Sequence, residues 1–155
     1  EGVHGPINVI DALRVSCNIF FYHVGIDVGI ETLTRYARAY GLGESTGIEL
    51  AESTGVNAGP EYSASVGATW YAGNTLSAAI GQSDNLFTPL QIANYVATLV
   101  NGGTRYAAHL LQRVTDADGN VTEYEPKVLN TVELQSQNLD AIKQGMSEYN
   151  ITIVK

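Results

Sequence analysis

Cysteine is nearly missing from this chain: Cys17 stands alone, so no internal disulfide can staple the fold. Histidine is scarce too. His4, His23 and His109 lie far apart, and none sits at zinc-site spacing from Cys17, so neither a metal nor any other cofactor is expected. Positive charge is thin: eight Lys and Arg face sixteen Asp and Glu, a formal net charge of -8. Such a balance repels phosphate backbones and anionic lipid surfaces alike, which argues against nucleic acid as a partner. No stretch reaches the roughly 18 uninterrupted apolar residues of a membrane span, and no basic-then-apolar start has the form of a signal peptide. The first residue is not Met and neither end carries a recognisable signal, so the expectation is a part of a longer protein.

What is present is ordinary for a packed domain. In 155 residues, 45% are hydrophobic and 15% charged, enough for one domain with a core and too apolar for disorder. From Pro6 to Val24, Ile7, Ile10, Leu13, Cys17, Phe20, Phe21 and Val24 recur at three- and four-residue steps, which predicts one helix or two meeting near Ser16. "ETLTRYARAYGLG" continues the helical rhythm, with Gly41 placed to end it. Residues 44 to 74 read as loops with short helical or extended turns.

"TPLQIANYVATLVNGG" is the plainest element, with Thr88 as N-cap, Pro89 at the first helical position and Gln91 closing a capping box. Ile92, Val96, Leu99 and Val100 are expected to form its apolar face. The opposite face, Gln91, Asn94, Thr98 and Asn101, carries no charge, unlike a helix whose back meets water. Asp84 is the single charge among the 37 residues from Gly67 to Gly103, so this stretch reads as the interior of something larger. "HLLQRVTDADGNVTEYEP" predicts a β-hairpin, and "SQNLDAIKQGM" a capped amphipathic helix with Leu139, Ile142 and Met146 on one side. Helices dominate and strands are few.

Two glycine-containing stretches suggest sites and do not hold up. "GLGEST" follows a helix instead of a strand and lacks the last glycine of a phosphate loop, so a helix cap and turn explains it. "DADGN" has its glycine too early for a calcium loop and no closing glutamate, so a hairpin turn explains it. Cys17 reads as a small buried sulfur. Ser16 and Asn18, in "RVSCNIFFY", pose a sharper question, because a buried hydroxyl or amide without a partner costs about 1–3 kcal/mol.

The ordered set "HGPINVIDALRVSCNIFFYHVG", "RYARAYGLGESTGIELAEST" and "TWYAGNTLSAAIGQSDNLFTPLQIANYVATLVNGGTRY" resembles the transpeptidase domain of class B penicillin-binding proteins, from about His4 to Met146. The resemblance implies an α-rich α/β (α+β) fold: the helical lobe of the serine β-lactamase-like transpeptidase architecture, with a short hairpin. It implies acyl transfer through an acyl-serine intermediate, in which three motifs, S-x-x-K, S-x-N and K-T-G or K-S-G, meet at one cleft. By that resemblance Ser16 would relay a proton between a catalytic lysine and the departing D-alanine, and Asn18 would orient the substrate backbone. A hydroxyl donates and accepts at once, and a carboxamide offers both a donor and an acceptor to a peptide edge. The implied ligands are stem peptides ending in D-Ala-D-Ala and β-lactams. The implied parent is an extracytoplasmic, membrane-anchored enzyme working with other cell-wall synthesis proteins, of which this segment would be a soluble piece.

No serine in the sequence is followed three places later by lysine, and Lys127, Lys143 and Lys155 begin no K-T-G or K-S-G triplet. Residues 1–155 are therefore expected to be a single partial domain lacking the nucleophile and the cleft-lining strand, and inactive alone. Without the covering sheet, apolar surface around the Thr88 helix is expected to drive self-association. Two other readings remain open: a non-catalytic relative that senses or binds β-lactams, and a thiol hydrolase built on Cys17 and a histidine.

Overall fold

The structure, a computed structural model, describes residues 4–149. Along the chain run α1 (Val9–Arg14), α2 (Asn18–Val28), α3 (Ile30–Ala39), α4 (Pro60–Ser65), α5 (Ala72–Ala79), α6 (Pro89–Val100), β1 (Thr104–Tyr106), β2 (Arg113–Thr115), β3 (Val121–Glu123), β4 (Val128–Thr131) and α7 (Ser136–Ser147). Helices outweigh strands, as the sequence pattern requires, and the fold is α+β. The chain forms two compact units: one takes the residues up to Arg35, Ala58–Asn85 and those from Leu134 onward; the other takes Tyr36–Asn57 and Leu86–Glu133.

In the first unit α1 packs on α7, and α2 packs on α5. The α2–α5 contact depends on a missing side chain, because a Cβ on Gly25 would stand 2.4 Å from the Cβ of Ala79. Ala12, Cys17, Ile30 and Ala58 are its buried apolar residues. Helix α2 has no separate polar face, since Asn18, His23 and Asp27 are scattered among apolar residues, and Ile19, Val24, Ile26 and Val28 are exposed. A helix without a polar face is normally surrounded on every side.

In the second unit α6 packs on β1, which pairs antiparallel with β4: Thr104 faces Thr131, Arg105 faces Asn130, and a bulge follows before Tyr106 faces Val128. Strands this short carry too few residues for the two-residue period to show, so the sequence gives no sign of them. The expected hairpin is present as β2 and β3, with Arg113 opposite Glu123 and Thr115 opposite Val121. Asp116 closes it, accepting from the Asn120 side chain and from the Asp118 and Asn120 N–H groups, and these bonds hold its carboxyl below the usual range.

The capping box of α6 is as expected: Thr88 Oγ1 accepts from the Gln91 N–H at 3.1 Å, and Gln91 Oε1 accepts from the Thr88 N–H at 2.9 Å. Its facing is not. Gln91 is 0% and Thr98 1% exposed, whereas Ile92 and Val100 are 42% and 46% exposed; of the expected apolar face only Leu99 is fully inside. The reason lies in the loop before it. Backbone carbonyls of Glu44 and Thr54 have no strand to pair with, and buried carbonyls must be satisfied. Gln91 Nε2 donates to both, at 2.7 and 2.8 Å. Asn94 Nδ2 donates to the Tyr106 carbonyl at 2.9 Å. Gln91 and Thr98 thus share the interior of this unit with Leu99, while Ile92 and Val100 are left open.

The preceding loop is drawn together by Glu52, whose carboxylate accepts from the Ser45 and Thr46 hydroxyls and from the Thr46 and Gly47 N–H groups. Burial pushes its pKa up, but those bonds outweigh burial and bring it down to about 2. In α7 the inward side carries Leu139, Ile142 and the buried Gly145, while Met146 is exposed; Ser136 is the first helical residue, and the N-cap is Gln135, whose side chain accepts from Asn138 Nδ2 and caps no helix N–H.

Four helices end alike. After α3, α4, α5 and α6, a paired closure joins the N–H of the third residue past the helix to a carbonyl five back, and the N–H before it to a carbonyl three back. This is the Schellman turn, and it needs a left-handed residue. That residue is Gly41, Gly67, Gly81 and Gly102 in turn, with φ between 73° and 92°.

Candidate functional site

The segment around Ser16 is built by two short helices meeting at a turn. Asn8 caps α1, its Oδ1 accepting from the Asp11 N–H at 2.9 Å. Helix α1 then ends in the same closure as the four above: the Ser16 N–H donates to the Leu13 carbonyl at 3.2 Å, and the Cys17 N–H to the Ala12 carbonyl at 2.9 Å. Here the left-handed residue is a serine, with φ 53°. Holding an L-residue there costs roughly 1–2 kcal/mol relative to the right-handed region. Cys17 is extended and stands as the N-cap of α2, and Asn18 is its first residue.

This backbone sorts the three side chains. Cys17 points inward and is 6% exposed, whereas Ser16 and Asn18 are both exposed. Neither Ser16 nor Asn18 takes a side-chain hydrogen-bond partner among the described residues. The polar pair beside the aromatic run is therefore not buried with it; Phe20 and Phe21 meet edge to face at 5.3 Å between centroids and are half-buried. A hydroxyl and a carboxamide are left open at one turn, free to bond an incoming group, and neither changes charge near neutral pH.

On the side of Cys17 lies a cavity of about 330 Å³ lined by His4, Gly5, Pro6, Ile7, Cys17, Ile19, Phe20 and His23. The thiol and two of the three histidines thus share a wall, which their separation in sequence hides. No hydrogen bond joins the thiol to either imidazole among the described residues, so the pair that a thiol hydrolase needs is not assembled. Ser16 and Asn18 do not line this cavity.

The chain matches the family model of the penicillin binding protein transpeptidase domain over residues 1–150. It is 34% identical to the peptidoglycan D,D-transpeptidase MrdA of Acinetobacter baumannii, over 92% of this chain and 23% of that protein. It is 32% identical to penicillin-binding protein 2A of Bacillus subtilis, over 91% of this chain and 22% of that protein. Among solved structures it is similar to the complex between penicillin-binding protein PBP2 and MreC from Helicobacter pylori, with a TM-score of 0.75, 30% identity, and coverage of 94% of this chain and 26% of that one. The chain belongs to the penicillin-binding protein transpeptidase domain family, and the class B resemblance drawn from its motifs stands. It spans less than a quarter of the length of the two relatives named.

Ser16 and Asn18 stand out in the sequence as candidates, but what holds them does not. Leu13, whose carbonyl receives the Ser16 N–H, and Gly145, which lies against Leu13, were read only as members of helical patterns. A glycine inside an otherwise good helix was the available signal, since it costs about 1 kcal/mol relative to alanine and so has a packing reason.

Proposed function

We propose that this chain is part of a peptidoglycan D,D-transpeptidase that cross-links stem peptides ending in D-Ala-D-Ala through an acyl-serine intermediate, and that β-lactams acylate the same serine. Both compact units then belong to one transpeptidase domain, whose S-x-x-K and K-T-G segments lie elsewhere in the protein. Ser16 accepts a hydrogen bond from the catalytic lysine and passes a proton to the amine of the leaving D-alanine, so that the departing nitrogen leaves neutral. Asn18 holds the peptide edge of the substrate, its oxygen accepting and its amide N–H donating. The protein acts on the outer face of the cell membrane, anchored there, beside other cell-wall synthesis proteins. A relative, PBP2 of Helicobacter pylori, forms a complex with MreC.

The observation that carries this reading is the exposed hydroxyl of Ser16 on a left-handed turn, at a position where four other helix ends of the chain place glycine. In the full-length protein, Ser16→Ala is expected to slow acylation by a fluorescent penicillin about 10²-fold or more, the usual size of a lost proton-transfer group. An unchanged rate would end the assignment. The 155-residue chain alone is expected to show no mass increase with a β-lactam, because no serine in it begins S-x-x-K. A stoichiometric adduct would refute the partial-domain reading. If the full-length sequence has no S-x-x-K before residue 16, the chain comes from a non-catalytic relative.

A further inference from the structure

A serine in a left-handed turn persists only where its surroundings over-determine it. Helix α1 cannot do this itself: six residues are under two turns, far short of what holds a helix in water. Its position is set by what it packs on, and that is α7. One point of that contact is Gly145, which is buried and where an added Cβ would come 2.8 Å from both Cβ and Cδ1 of Leu13 and 3.1 Å from the Ile10 carbonyl oxygen. Real Cβ atoms do not approach carbon so closely, so α7 lies this near only because residue 145 has no side chain. Leu13 is also the residue whose carbonyl accepts the Ser16 N–H. One residue later, Arg14 joins Asp11 at 2.8 Å and reaches Glu148 of the α7 C-cap at 3.9 Å.

We infer that Gly145 is a positioning residue for Ser16: by bringing α7 against Leu13 it fixes the last turn of α1, and with it the left-handed backbone that aims the Ser16 hydroxyl. A side chain at 145 pushes Leu13 away, lengthens the bond from the Ser16 N–H and lets the turn relax. The structural part of this stands on the contacts alone; its consequence for acyl transfer rests on the function proposed above.

The test uses the ¹⁵N-labelled full-length protein and amide hydrogen exchange at Ser16 and Cys17. Gly145→Ala, which crowds the contact, and Leu13→Ala, which empties it, are each expected to speed both amides at least tenfold. Gly73→Ala is the control, since a Cβ there meets nothing within 4 Å, and it leaves both rates unchanged. Should Gly145→Ala fail to fold by circular dichroism, Leu13→Ala decides alone; a folded Leu13→Ala chain with unaltered Ser16 and Cys17 exchange overturns the inference. In the full-length protein, Gly145→Ala is expected to lower the β-lactam acylation rate constant tenfold or more with non-covalent affinity within twofold. Equal losses in both would reduce Gly145 to a stability role. If the unsubstituted full-length protein is not acylated at all, the transpeptidase reading falls, and the exchange rates still judge whether Gly145 positions Ser16.

Discussion

The turn after α1 and the turns after α3, α4, α5 and α6 are one device with two different occupants. All five close a helix with the same pair of backbone bonds and put one residue in left-handed space. At Gly67, Gly81 and Gly102 an added Cβ would meet nothing within 4 Å, so glycine is there for its backbone freedom and not for lack of room. At Ser16 that freedom is given up. Nothing among the described residues uses the hydroxyl that stands there instead. The five helix ends share their closing hydrogen bonds and the hand of the turn, and at one of them alone the left-handed residue carries a side chain.

Gly41 is the turn glycine at which a side chain is expected to do most harm. Gly41→Ala would combine a φ of 89° with a Cβ only 2.6 Å from Arg105 Nε, and Arg105 is buried, bonded to the Ser45 carbonyl and to Asn130 Oδ1. A loss of about 2–3 kcal/mol is expected in urea denaturation. A loss below about 1 kcal/mol would mean that the guanidinium swings aside freely and that this turn is no tighter than the others.

The loop beyond that turn should respond to acid through Glu52. Its folded pKa of about 2 lies below the ordinary 4.5, so its contribution is complete above pH 4.5 and fades as pH falls toward 2. Urea midpoints taken between pH 5 and 2 should fall more steeply for the parent chain than for Glu52→Gln, and parallel curves would place the acid sensitivity elsewhere.

A smaller effect is expected at an open turn: Gly102→Ala, with nothing for the new methyl to strike, should cost about 1 kcal/mol of stability from backbone conformation alone. The smallest change has the opposite sign. Ser16→Gly should stabilise the chain by about 0.5–1 kcal/mol, the relief of left-handed strain less the greater freedom of glycine when unfolded. Ser16→Ala should leave stability within about 0.5 kcal/mol, since the exposed hydroxyl has no internal partner to lose. If Ser16→Gly destabilised instead, the hydroxyl would be structural and the contrast among the helix ends would disappear.

Much of the fold was legible locally. Thr88, Pro89 and Gln91 announced the start of α6, Gly41 the end of α3, and Asp-Gly-Asn the hairpin turn, because caps and turns are settled by residues within a few places of one another. The facing of α6 is legible only in part: Leu99 is inside, as its period predicts, whereas Ile92 and Val100 are not. Hydrophobic periodicity assigns the apolar stripe to the interior, but here the loop carbonyls of Glu44 and Thr54, 47 and 37 residues away, claimed the amide of Gln91. The pair β1 and β4 was invisible for the same reason: its partners are distant and its strands too short to show a period.

The sequence by itself determined which groups could act. A hydroxyl at 16, a thiol at 17 and a carboxamide at 18 stand in its first helical stretch, and no S-x-x-K accompanies them within the 155 residues. Only the tertiary structure decided which of the three faces outward and under what restraint. That outcome depends on a six-residue helix too short to choose its own ending, pressed by a helix more than a hundred residues further along the chain, and contacts so far apart in sequence leave no local trace.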